Sequence, residues 1–163
     1  MFTAVIQRAK PITLAAAAAV LVCATAAVHA ASVKDIFQKY NLLGVFAQDC
    51  TKPPTVQTPP NGGDQNWWFV NRLIDDNHAQ RDFMNSPTER GFVIIIDSAT
   101  ELQPNQIRVT GVRDGTISVD NVWHIDKNRT LTWQGIGDTK GNIANGKYTQ
   151  TGNAIPWLTQ CGN

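Results

Sequence analysis

Arg81, Asn121, Trp123 and Trp133 are the side chains in this chain with the chemistry to hold a small molecule, and each falls within a strand-like run. A guanidinium offers a rigid fork of donors to a carboxylate, an amide both donates and accepts, and indole faces attract cations and cover apolar surface. The alternation that puts Ile117, Val119, Trp123 and Ile125 on one strand face puts Asn121 there too, and Arg81 shares a face with Phe83. Gathered in one interior with Trp133, they could bind a small lipophilic or acidic ligand. A core network satisfied by its own members, with Arg81 snorkelling out, accounts for the same residues.

Catalysis has less to draw on. His78 and His124 are the imidazoles beyond the N-terminal segment, and neither sits in a hydrolase motif. His124 falls on the polar face of its run and reads as a surface residue. Glu89 and Glu101 are the only glutamates, and nothing pairs either with another acid. Asp75-Asp76-Asn77-His78 has oxygen and nitrogen donors but lacks the spaced carboxylates and glycine of a calcium loop, so it reads as a polar turn. Asp138 to Asn142 reads as a Gly-flanked hairpin for the same reason, and Asn128-Arg129-Thr130 matches a glycosylation sequon by pattern alone. No catalytic residue, metal-ligand set or cofactor motif is expected. Trp67-Trp68-Phe69 places large rings on both faces of one run, which leaves Trp67 or Trp68 as a contact surface. With the Pro-rich segment 51–64 they support an alternative role, an envelope protein–protein interaction or inhibitor module.

The compartment follows from the chain's two ends. Arg8 and Lys10, the apolar stretch Ile12 to Ala27 and Val28-His29-Ala30 have the layout of a cleaved secretory signal over residues 1–30. The apolar stretch is shorter than the roughly 20 residues of a membrane span. Cys23 follows Val22 where a lipoprotein signal has a small residue, so it belongs to the apolar stretch. The chain carries 14 Lys and Arg against 13 Asp and Glu; removing Arg8 and Lys10 with no acid leaves 12 against 13, a charge of −1. That charge, with no basic run, argues against nucleic acid as a partner. Residues 31–163 form one domain with no second apolar span, destined for the periplasm or the medium. Cys50 and Cys161, an even pair in an oxidising compartment, are expected to form a disulfide that ties its start to its end.

The elements that must position these residues are mostly strands. Val33, Ile36, Phe37, Tyr40 and Leu43 recur at helical spacing, which predicts one short helix. Short runs rich in aromatic and β-branched residues follow, bounded by Gly, Asn, Asp or Pro. About eight strands are expected: Leu43–Asp49, Asn66–Ile74, Gln80–Asn85, Gly91–Thr100, Gln106–Arg113, Thr116–Asp126, Thr130–Ile136 and Lys147–Gly152. Phe92 to Ile96 is apolar on both faces, so the helix is expected to cover its outer side. This all-β pattern fits an up-and-down barrel, closed or half open, and a β-sandwich is the alternative.

Leu42-Leu43-Gly44-Val45-Phe46-Ala47-Gln48-Asp49-Cys50 and the ending Pro156-Trp157-Leu158-Thr159-Gln160-Cys161 resemble a family of small secreted alphaproteobacterial proteins. Gln80-Arg81-Asp82 fits the same family, although Phe46 stands where Trp is usual. The resemblance implies an exported β-domain and no activity. Gly44-x-Phe46 after a short helix also resembles the Gly-x-Trp opening of lipocalin-like barrels, which implies a lumen able to take a small apolar molecule.

Overall fold

The computed structural model describes residues 31–55, 65–136 and 142–162. Residues 1–30, read above as a secretory signal, most of the Pro-rich connection and Asp138 to Gly141 lie outside the described residues. The helix α1 spans Val33–Lys39. Ser32 starts it with a capping box, its side chain accepting from the Asp35 amide while the Asp35 carboxylate accepts from the Ser32 amide. Asn41, at φ 51°, ends it and turns the chain into the first strand.

Among the described residues ten strands follow: β1 (Gly44–Ala47), β2 (Trp68–Leu73), β3 (Ala79–Met84), β4 (Arg90–Gln103), β5 (Gln106–Arg113), β6 (Ile117–Asp126), β7 (Arg129–Ile136), β8 (Ile143–Ala144), β9 (Lys147–Tyr148) and β10 (Leu158–Gln160). β1 to β7 pair with their chain neighbours, and β10 pairs with both β7 and β1, which closes an eight-stranded antiparallel barrel. The sandwich and half-open alternatives are excluded by that last pairing. Closure leaves no strand edge of the barrel exposed.

The eighth strand is not the expected one. Lys147 and Tyr148 belong to a separate two-stranded hairpin with Ile143 and Ala144, and the seam is closed by Leu158–Gln160. The Cys50–Cys161 disulfide sits directly beyond this seam, with Cα atoms 5.2 Å apart, and the adjacent Phe46–Gln160 and Ala47–Thr159 pairs hold the strands in register.

Apolar alternation fills one end of the barrel. Phe37, Leu42, Phe46, Ile96, Ile107 and Val109 are fully buried, each such burial contributing about 1.5–3 kcal/mol. α1 closes that end, with the Phe37 ring 6.2 Å from Trp123. Two anchors hold it: Lys34 pairs with Asp76 of the β2–β3 turn at 2.9 Å, and Lys39 pairs with Glu101 of β4. The helix thus meets β4 beside Glu101, and the outward Val93 and Ile95 remain half-buried.

β-Bulges decide which side chains face inward. Ile96 pairs with Gly111 and Ser98 with Thr110, so Asp97 is an extra residue and the inward set of β4 changes from Phe92, Ile94 and Ile96 to Ala99 and Glu101. Gly111 permits this: a Cβ there would stand 2.0 Å from the Ile95 carbonyl oxygen. A second bulge lies on β7, where Trp123 pairs with Thr132 and Val122 with Gln134. Trp133 is the extra residue.

Among the described residues no helix is long and apolar enough to cross a membrane.

Candidate functional site

A cavity of about 290 Å³ occupies the barrel at the end away from α1, near the lower limit of the roughly 300–1,000 Å³ typical of small-molecule sites. Its wall is built by inward positions of β2 to β7. Arg81, Asn121 and Trp123 all line it. Phe69 and Phe92 line it, and Phe83 lies between them in a row across β2, β3 and β4, stacked on Phe92 at 4.7 Å and tilted against Phe69 at 5.1 Å. Trp67, Arg113, Ile143 and Tyr148 frame the outer end and are partly exposed.

Arg81 is the unusual member. Its side chain is 6% exposed and reaches from β3 towards β6, with Cζ 4.0 Å from the Phe69 ring centre and 4.4 Å from that of Trp123. Nη1 donates to Asn71 Oδ1 at 3.3 Å. The Asn71 amide in turn donates to the Leu42 carbonyl at 2.7 Å, which fixes the oxygen that Arg81 meets. A guanidinium has five N–H donors, and among the described residues Asn71 is its one hydrogen-bond partner. Among the described residues no carboxylate forms an ion pair with it. The neighbouring acid, Asp82, points outward and pairs with Arg72 and Arg90. Burial pushes the Arg81 guanidinium down to about 9, so it remains a cation at neutral pH. A buried cation with no counter-charge among the described residues carries a desolvation cost.

Trp133 does not join this group. As the bulged residue of β7 it points away from the lumen, and Thr132 takes the inward position. Its face is covered by the β8–β9 hairpin: the Gly146 amide donates to the Trp133 carbonyl at 2.8 Å, and a Cβ on Gly146 would lie 3.3 Å from the indole. His124 is not an ordinary surface residue either. It is half-buried outside the barrel between Trp133 and Trp157, at 5.6 Å and 5.8 Å, and its Nδ1 is buried without a hydrogen-bond partner among the described residues.

Trp67 turns to the mouth of the cavity, edge-on to Phe83 at 6.4 Å and to Tyr148 at 6.5 Å. Burial pushes the Tyr148 phenol up. Trp68 faces outward, half-buried, with its indole Nε1 buried and unpartnered among the described residues. Asp75 to His78 form the β2–β3 turn, where the Asp75 carboxylate meets His78 Nδ1 at 2.8 Å and is held below the usual range by that bond. Among the described residues no three His, Cys, Asp or Glu side chains gather in one place. A wider hollow of about 520 Å³ beside the hairpin is lined by Gln65, Asn142, Tyr148, Gln150, Thr151 and Asn153, neutral groups with no charge to fix a ligand.

Phe69, Phe92, Thr132, Arg113 and Tyr148 are lining residues that the sequence reading missed. For Arg113 the signal was present, since Ile107, Val109, Gly111 and Arg113 share one strand parity. Comparison with protein-family models, with curated proteins and with solved structures finds no match to this chain.

Proposed function

We propose that this chain is an exported binding protein that holds a small lipophilic acid inside its barrel, the acid group on Arg81 and the apolar body against the Phe69 and Phe92 rings. The observation that carries this reading is the Arg81 guanidinium, buried beside a cavity and free of any carboxylate among the described residues. Such a group costs several kcal/mol to desolvate unless a counter-ion arrives. Export is supported by the signal-like residues 1–30 and by the disulfide, which oxidising compartments favour.

The test is native mass spectrometry of the protein purified from the periplasm, with denaturing extraction of whatever travels with it. An acidic adduct, absent from Arg81→Met, is the expected result. A clean apo mass, with no saturable binding of the fluorescent sulfonate 1-anilinonaphthalene-8-sulfonate, would refute the role.

A further inference from the structure

The lumen holds a second cation. Arg81 of β3 pairs with Ile94 of β4, and Ile94 pairs with Arg113 of β5, so the three residues form one row and all line the cavity. Two strand spacings of about 4.8 Å put the two Arg Cα atoms about 10 Å apart. Their guanidinium groups lie at different ends. Arg81 stacks on Trp123, which touches Phe37 of α1, whereas Arg113 is the last residue of β5, at the rim, 5.4 Å over Phe92.

No Asp or Glu is among the described residues lining the cavity. The acid paired with Arg113 is Asp114, 4.0 Å away, and its Oδ1 accepts the Val93 amide at 2.9 Å. A cavity whose described lining holds no acid, with one cation at its inner end and one at its rim, attracts negative charge at both ends, with apolar wall between. Resting on the binding role above, we propose that the preferred ligand is an elongated dianion, two carboxylates joined by an apolar spacer. One carboxylate meets Arg81, the other Arg113, and the spacer lies along Ile94.

The experiment is calorimetric titration of the mature protein with a chain-length series of α,ω-dicarboxylates and the monocarboxylates of matching length. At low ionic strength the best diacid binds about tenfold more tightly than its matching monoacid, the ratio for one added contact of about 1.4 kcal/mol. Arg113→Gln brings that ratio to about one, weakening the diacid far more than the matching monoacid. Arg113→Lys keeps most of the preference, and added salt shrinks it in the wild type. Thermal melts of both variants, which alter a partly exposed rim residue, confirm that the barrel is intact. Equal affinity for mono- and diacids, with binding still lost in Arg81→Met, overturns the two-anchor proposal while leaving the lipophilic-acid role standing. Failure of both series and of the sulfonate dye to bind overturns both.

Discussion

Replacing Arg81 with Met should abolish ligand binding and leave the empty barrel as stable as before or more so. The fall of the guanidinium from an ordinary value of about 12.5 to about 9 corresponds to about 5 kcal/mol at 1.36 kcal/mol per pH unit, disfavouring the charged form in the folded state. Stacking on Phe69 and Trp123 returns about 1–2 kcal/mol for each ring, and the Asn71 hydrogen bond about 1 kcal/mol. Met keeps much of the apolar contact without the charge, so the variant gains between zero and about 2 kcal/mol. For a domain of this size that is a rise in Tm of up to roughly 8 °C. The sign with pH is fixed by linkage. Below about 9 both states carry the proton and the full cost is present; as pH rises through about 9 the folded state releases it while the unfolded chain retains it, so wild-type stability rises towards that of the variant. Urea unfolding of ligand-free protein at neutral pH and at pH values above 9 measures both effects. A variant less stable by more than about 1 kcal/mol, or a gap that does not narrow at high pH, would refute the reasoning and make Arg81 a structural residue.

Gly111→Ala sets a Cβ against the Ile95 carbonyl at a bulge that cannot yield cheaply, and urea unfolding should show a loss of about 2–4 kcal/mol. The double variant Cys50→Ser, Cys161→Ser should lose about 2–5 kcal/mol, with faster amide exchange at Phe46 and Ala47 along the β1–β10 seam; a melt insensitive to reductant would contradict this. In acid, Asp120, held low first by its hydrogen bond to Arg108, and Glu101, held low first by that to Lys39, contribute stability that is present above about 4 and lost as pH falls through their depressed values. The Arg108→Met and Lys39→Met variants should each show a shallower acid-side decline in Tm.

Seven of the eight barrel strands were legible because alternation and turn residues bound them, and Gln106–Arg113 coincides with β5. The last strand was not, because Leu158–Gln160 is too short to alternate visibly, whereas Lys147–Gly152 has strand-like residues that a local hairpin uses instead. The disulfide held the missing clue. If Cys50 follows the first strand, the segment before Cys161 must run within a few ångströms of it, which makes Leu158–Gln160 the partner of β1.

Bulges explain the rest. Strict alternation assigns every second residue to the lumen, and one inserted residue reverses the assignment beyond it. Trp133 looked inward because Leu131 and Trp133 are the apolar positions of β7. In the barrel those positions serve a second, outer layer beneath the hairpin, and the polar Thr130 and Thr132 face in. That inversion bears on the ligand. An apolar β7 facing the lumen would close the cavity with indole; Thr132 leaves it open beside Asn121 and Trp123. The space that results has aromatic walls, hydroxyl and amide groups on one side and two arginines on the other. For stability alone Met or Leu would serve at position 81, since a buried cation without a counter-charge is costly to desolvate. That Arg81 is buried in a lining with no Asp or Glu among the described residues is the observation on which the proposed anionic ligand rests.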